Sequence, residues 1–272
     1  MKRKFSEGRP RNNALRPPGK DRERPSGTTQ TYGVSPVLEA LRANARRIDK
    51  IVVADGAREK RLHEIFDLAR ANGVRVDRVP REALERLVEP SANHQGVVAF
   101  AAAADYVAVD EILDAAAATV PLIVILDGVE DPRNLGAVLR SAECAGADGV
   151  IIPDRRAAGL TETVAKSSAG AIEYVKVAKT TNLNRLIEDL KERNIWVVGT
   201  SADAATDYTE WDWSGPCALV LGAEGSGLHR LVAENCDALV KIPMYGKIDS
   251  LNVSVAAGVI LFEARRQRSQ KG

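Results

Sequence analysis

A chain of 272 residues with 45% hydrophobic and 28% charged content has the make-up of an ordinary globular protein long enough for two domains. Its longest apolar runs, residues 97–104 and 255–262, fall far short of the ~20 needed to cross a bilayer, and the basic N-terminus has no apolar segment behind it, so neither a membrane span nor a secretory signal is expected. Net charge is +1, yet the first thirty residues hold nine Lys or Arg against three acids, which concentrates +6 in a tail and leaves −5 on the other 242 residues.

That tail, residues 1–30, contains Pro10, Pro17, Pro18 and Pro25 and almost no large apolar side chain, and is expected to be disordered. Such a segment either tracks phosphates without reading sequence or simply keeps the chain soluble. Folded structure is expected from Tyr32. Ser35 followed by Pro36 matches a helix N-cap and first helical position, and the helix turns Val37, Leu38 and Leu41 inward. Next come a strand at 48–54, a helix at 59–71 stopped by Gly73, a strand at 74–79, a short helix at 81–88, and a strand reached through Asn93-His-Gln-Gly96. They complete an alternating α/β unit over residues 31–104. His94 has no titratable companion in this stretch, so a turn or surface role is expected of it.

Residues 105–119 read as a linker around a connecting helix at 110–118, and the pattern restarts after Pro121. Strands are expected at 122–126, 150–152, 174–177, 196–199, 219–221 and 239–242, most separated by helices, with a loop at 203–215. Near-continuous apolar strands between helices imply an α/β fold with a parallel sheet covered on both faces, spanning residues 120–272. Ligands in such sheets gather beyond the carboxyl ends of the strands, where polar loops are expected at 127–140, 222–227 and 243–252. The glycine-rich loop from Gly222 to Gly227 is neither a Gly-x-Gly-x-x-Gly fingerprint nor a Walker loop. Glu224 puts a negative charge where a phosphate would sit, which disfavours a dinucleotide and suits a neutral or cationic ligand. Ser250 and Asn252 stand at a helix start, where capping and catalysis are both open to them. Cys144, Cys217 and Cys236 have no Cys-x-x-Cys spacing and no neighbouring histidine, so no disulfide framework and no metal site are expected, and the expected compartment is a reducing cytoplasm.

Taken in order, Asn134-Leu-Gly-Ala-Val-Leu-Arg140, Leu221-Gly-Ala-Glu-Gly-Ser-Gly-Leu228, and Ile242-Pro-Met244 with Ser250-Leu-Asn-Val-Ser-Val-Ala256 resemble three motifs. They are those of the SpoU (TrmH-like) branch of the SPOUT RNA 2′-O-ribose methyltransferases. Residues 32–100, with Gly33-Val-Ser-Pro-Val-Leu-Glu-Ala-Leu41 and His94-Gln-Gly-Val-Val98, resemble the L30e-like substrate-binding domain that precedes the catalytic domain in the RlmB subgroup. The likeness covers roughly residues 31–268. It implies a deep trefoil knot, which general topology rules would disfavour, together with S-adenosylmethionine as cofactor, no metal, a homodimer, and ribosomal RNA as partner.

Carried over position by position, the resemblance implies cofactor contacts at Gly222, Ile242 and Leu251, with Thr200 and Met244 as their neighbours. It implies a catalytic set of Asn134, Arg140, Glu224, Ser250 and Asn252. The implied substrate is a guanosine in the peptidyl-transferase region of 23S ribosomal RNA. A tRNA guanosine is the alternative, since related enzymes share these motifs. A catalytically silent RNA-binding or ribosome-assembly protein is a reading of a different class; its sign would be a broken motif, and all five catalytic positions are filled. The family proposal gives proton removal to the arginine matching Arg140. A guanidinium with a pKa above ~12 is a poor base, so holding a phosphate and stabilising alkoxide charge is chemically simpler. Ala256, Ala257 and Gly258 lie on a helix expected at 252–266, which packs either at a subunit interface or within one chain.

Overall fold

The computed structural model of the chain describes residues 28–57, 59–90 and 92–271. The disorder expected of residues 1–27 lies outside the described residues. The last three residues assigned to the tail behave differently from expectation: Thr28–Tyr32 form a strand, β1. Thr and Tyr suit a pleated surface, and β1 gains its place by pairing antiparallel with a later strand rather than by burying an aliphatic face of its own.

After β1 come α1 (Val34–Ala43), β2 (Ile48–Ala54), α2 (Glu59–Ala71), β3 (Arg75–Val79), α3 (Arg81–Glu85) and β4 (Val97–Ala102). The four strands lie in the order β1-β4-β2-β3, with β4 antiparallel to both neighbours and β2 parallel to β3. The N-cap of α1 is Gly33, at φ 97°, and not Ser35. Ser35 and Pro36 occupy the first turn, where the missing proline N–H costs no hydrogen bond. Val37, Leu41, Ile51, Val53, Leu62, Ile65 and Val97 fill the core on one face of this sheet, and Val52, Leu84 and Val98 the other. His94 proves to be buried; its Nδ1 accepts from the Gly96 N–H at 3.1 Å. Burial, and then the charge of Arg81, hold its pKa below the ordinary value, so it is a neutral turn residue and not a surface one.

The second domain begins with α4 (Val109–Ala116), β5 (Leu122–Asp127), α5 (Pro132–Ala145), β6 (Gly149–Pro153), α6 (Glu162–Ser167), a 3₁₀ turn (Ala171–Glu173), β7 (Val177–Thr180) and α7 (Leu183–Glu192). It continues through β8 (Trp196–Thr200), β9 (Thr206–Asp207), β10 (Cys217–Gly222), α8 (Arg230–Asn235), β11 (Ala238–Lys241) and α9 (Val253–Lys271). Seven parallel strands lie in the order β7-β6-β5-β10-β8-β11-β9. The strand expected at 174–177 starts only at Val177, because residues 171–173 form the 3₁₀ turn that faces the first domain. The segment read as a linker contains α4, whose Ile112 and Leu113 are buried against Ile123 and Ile125 of β5. A Cβ on Gly149 would lie 2.7 Å from Ile112 Cδ1, so α4 is seated closely on the sheet.

Helices α5 and α9 cover one face of the large sheet and α4 and α7 the other. Helix α9 runs beyond the expected end at Arg266. Arg268 accounts for the extension: its guanidinium donates to the carbonyls of Val120, Pro121, Trp213 and Gly215 at 2.7–3.0 Å. The small residues of α9 pack within the chain: Ala257 is fully buried and Gly258 faces Ser141 of α5. Val255 and Phe262 are left exposed on its outer side. From β5 the chain moves outward through β6 and β7, then returns to build β8, β10 and β11 on the other side. The crevice beyond the ends of β5 and β10, where Asp127 pairs in register with Gly222, is therefore the topological switch point. Among the described residues no helix is long and apolar enough to cross a membrane.

Candidate active site

Three segments meet at this crevice. Asp131 caps α5 by accepting from the Arg133 N–H at 2.7 Å with Pro132 in the first turn, so Asn134 lies inside the helix, 8% exposed, rather than in the preceding loop. Beyond β10 the chain doubles back: Ala223 and Gly227 exchange backbone bonds at 3.1 and 3.0 Å, and Gly225 and Gly227 take positive φ. A Cβ on Gly222 would stand 2.1 Å from the Gly227 carbonyl carbon. The glycines thus close a tight turn that holds Glu224 outward, which is a different use from lining an anion cradle.

Asn252, at the start of α9, joins the three. Its Oδ1 accepts from the Ser254 N–H at 3.0 Å and hydroxyl at 2.6 Å, which is helix capping. Its Nδ2 donates to Asn134 Oδ1 at 3.0 Å and to the Glu224 carboxylate. One amide therefore caps α9 and bridges the first turn of α5 to the turn after β10, so the two roles open to Asn252 are compatible. Asn134 Nδ2 makes no hydrogen bond among the described residues and remains a donor available to a ligand.

Arg140 and Ser250 are not drawn into this cluster. Six residues along α5, the helical period carries Arg140 about 120° around and roughly 9 Å along from Asn134. Its exposed side chain lies near Cys144, one turn further along the same helix. Ser250 is exposed and makes no hydrogen bond among the described residues; Asn252, and not Ser250, caps the helix.

Three of the positions expected to hold the cofactor stand at the carboxyl-terminal edge of the same sheet. Thr200 ends β8 with its hydroxyl donating to the Val220 carbonyl at 3.3 Å, Gly222 ends β10, and Ile242 follows β11. Met244 follows two residues after Ile242 and Leu251 immediately precedes Asn252; the two are 36% and 41% exposed. These five positions carry no charge, and the carboxylate nearby is that of Glu224. An apolar wall with one acid fits a cofactor that bears a cationic sulfonium and no phosphate.

Two residues in the crevice went unmarked in the sequence reading. Asp127, 3% exposed at the end of β5, accepts from the His229 N–H at 2.7 Å and meets His229 Nδ1 at 2.8 Å. A Cβ on Gly128, which sits at φ 81°, would meet Ala223 Cβ at 3.4 Å and His229 Cε1 at 3.5 Å. The pair ties the end of β5 to the start of α8 and so fixes the mouth of the crevice. An acid ending an apolar strand was the visible signal; its partner 102 positions later was not. Among the described residues no cluster of metal-ligating side chains exists and the three cysteines are free. Burial pushes the Cys217 thiol up to about 11 and that of Cys236 up to about 12, which leaves both unreactive at neutral pH.

Residues 121–262 match the SpoU rRNA Methylase family. The chain belongs to that family. Ahead of this region, residues 31–107 match the RNA 2′-O ribose methyltransferase substrate binding family. Among relatives of the SpoU chain is a 23S rRNA (guanosine-2′-O-)-methyltransferase RlmB of Ralstonia nicotianae, 48% identical over 87% of this chain and 95% of that one. YacO of Bacillus subtilis, 46% identical over 88% of this chain and 96% of its own length, is named only to the level of TrmH family tRNA/rRNA methyltransferase. Among solved structures, the SpoU methyltransferase AviRb of Streptomyces viridochromogenes in complex with AdoMet is 28% identical. It has a TM-score of 0.71 and covers 90% of this chain and 91% of that one, so the superposition takes in both domains. This SpoU chain is an RNA 2′-O-ribose methyltransferase that uses S-adenosylmethionine.

Proposed function

We propose that this SpoU enzyme methylates the 2′-oxygen of a guanosine ribose in 23S ribosomal RNA, in the peptidyl-transferase region. The observation that carries the substrate is the 48% identity to an RlmB protein across nearly the whole of both chains. Residues 31–104 would hold the RNA and residues 120–272 perform the transfer, in the cytoplasm where ribosomal RNA is found. A tRNA guanosine is the second reading, favoured by the tRNA/rRNA wording of the YacO name.

S-adenosylmethionine supplies an electrophilic methyl group on a cationic sulfur. Backbone groups at Gly222 and Ile242, with the apolar sides of Met244 and Leu251 and the Thr200 strand end, would hold it. Glu224, fixed by Asn252, sets a negative charge at the mouth that favours a cation. The free Asn134 Nδ2 would donate to a ribose oxygen and orient the attacking hydroxyl, and Ser250, exposed beside the crevice, would take a second position on the ribose. The fold of the crevice loops is read as the family's trefoil knot.

Arg140 faces away from Asn134 in its own chain, so we take Arg140 of the partner subunit to complete the site in a homodimer. There it would hold the adjacent phosphate and stabilise charge on the ribose oxygen. The exposed Val255 and Phe262 of α9 supply the apolar face for that contact. Arg140→Ala and Asn134→Ala proteins are each expected to be nearly inactive. Mixed and re-equilibrated, they should recover about a quarter of wild-type activity, because half the dimers then carry one intact site out of two. No recovery in dimers shown to have exchanged would place both residues in one subunit's site.

The substrate is tested by transfer of labelled methyl to protein-free 23S RNA and, in parallel, to bulk tRNA, with mapping of the ribose that resists alkaline cleavage. Label on one 23S guanosine is the expected result. Label confined to tRNA would keep the chemistry and overturn the substrate.

A further inference from the structure

The contact between the two domains has a composition that differs from either core. Among the described residues the buried apolar clusters divide cleanly: two draw only on residues up to Phe100 and two only on residues from Ala104 onward. What joins the domains is polar. The Arg46 side chain is 10% exposed and that of Glu173 1%, and they form a forked ion pair whose Nε–Oε2 arm measures 2.8 Å. The same guanidinium donates to the Ala102 carbonyl at 2.9 Å and to the Thr29 hydroxyl at 3.3 Å, so it also fastens β1 and β4 together. Beside it the Gln30 N–H donates to Glu162 at 3.2 Å, the Tyr174 hydroxyl donates to Glu39 at 2.7 Å, and Lys166 lies over the Tyr32 ring at 4.9 Å. Gly170 sits at φ 99°, and a Cβ there would come within 2.5 Å of the Glu39 Cβ, so the backbones approach closely.

This strip ends on the catalytic machinery. Glu173 belongs to the 3₁₀ turn, and that turn and α6 both pack against α5. Contact is tight: a Cβ on Gly136 of α5 would fall 1.9 Å from Ser167 Oγ of α6. Helix α5 carries Asn134 in its first turn and Arg140 further along. The first domain is thus bolted to the segment that braces the helix presenting those side chains.

We infer that Arg46 and Glu173 are positioning residues for RNA: the buried ion pair sets the angle at which the substrate-binding domain presents the ribose to Asn134 and to the rest of the site. The inference rests on the RNA methyltransferase activity and is indifferent to which RNA is modified. An ion pair suits the task because removing one partner strands a buried charge, which makes the docked geometry specific, while the absence of a shared apolar core lets the domains part without unfolding.

The test compares wild type with Arg46→Ala, Glu173→Gln and Tyr174→Phe in the full chain. Small-angle scattering reads domain separation, calorimetry reads affinity for S-adenosylmethionine, and methylation of protein-free 23S RNA gives KM and kcat. Arg46→Ala is expected to expand the particle and raise the RNA KM about tenfold, with cofactor affinity unchanged and kcat affected less than KM. Glu173→Gln, which keeps the shape and removes the charge, should fall between the two. Tyr174→Phe removes one exposed interdomain bond and no buried charge; it should shift KM in the same direction by less, and it keeps the comparison alive if Arg46→Ala does not fold. An expanded particle with unchanged RNA kinetics, an unchanged particle, or a loss of cofactor affinity equal to the loss of RNA affinity would each overturn the inference. If wild type labels bulk tRNA instead of 23S RNA, the 23S assignment fails, and the same comparison on tRNA still decides the role of the pair.

Discussion

Gly222→Ala is expected to abolish S-adenosylmethionine binding, weakening it by more than about 100-fold, whereas Gly225→Ala in the same turn should retain most of it. The contrast follows from what surrounds each Cα. A methyl on Gly222 would meet the Gly227 carbonyl carbon at 2.1 Å, the Leu228 nitrogen at 2.3 Å and the Gly227 oxygen at 2.4 Å. All three are backbone atoms, which cannot rotate aside as a flexible side chain would. Relief therefore requires the Ala223–Gly227 turn to open, and with it Glu224 loses its fixed place opposite Asn252. Gly225 has nothing within 4 Å and is a glycine only because of its φ of 82°, so alanine there costs about 1–2 kcal/mol of backbone strain and no collision. Titration calorimetry on the two proteins, with circular dichroism to confirm that both are folded, makes the comparison. Near-wild-type binding by Gly222→Ala would mean that the close approach has no part in shaping the cofactor site.

The strands of the large sheet were legible because they are buried on both faces and so read as unbroken apolar runs; Leu219, Val220 and Leu221 are all fully buried. β1 was missed for the complementary reason. Its residues, Thr28 to Tyr32, carry no aliphatic side chain, and nothing local says that β4 needs a partner on that side. The shift of β7 to Val177 has a tertiary cause: Glu173 is committed to Arg46, 127 positions earlier, and the chain turns to present it. In the site, the three glycine-containing and amide-containing loops were found from their motifs, but the motifs did not show that Asn134, Glu224 and Asn252 touch while Arg140 and Ser250 stand apart. Helical arithmetic on residues 134 and 140 separates those two side chains on α5; it takes the structure to identify Asn252 as what joins α5 to the turn after β10.

The double duty of Asn252 makes it the position where stability and catalysis can be separated. Serine at 252 keeps an oxygen able to cap α9 but is too short to reach Asn134 and Glu224; alanine loses both functions. Asn252→Ala is accordingly expected to lose about 1 kcal/mol of stability, whereas Asn252→Ser should melt within a degree or two of wild type. Both should lose methyl transfer by about 10²–10³-fold in kcat, because Asn134 and Glu224 are no longer held in a fixed relation when charge develops. If capping were the whole role, Asn252→Ser would be fully active. Asn252→Asp sharpens the distinction through pH. The introduced carboxyl keeps the cap acceptor but faces the Glu224 carboxylate, and two such groups in contact cannot both ionise easily, so one pKa is raised. Below that raised pKa a shared proton restores a donor between the loops; above it the site holds two repelling charges. Activity of Asn252→Asp relative to wild type should therefore increase as pH falls through the acidic range and vanish as pH rises, a trend absent from Asn252→Ser. A flat ratio across pH would mean that the bridge between Asn134 and Glu224 does not govern turnover, and the catalytic role would have to pass to groups outside this cluster.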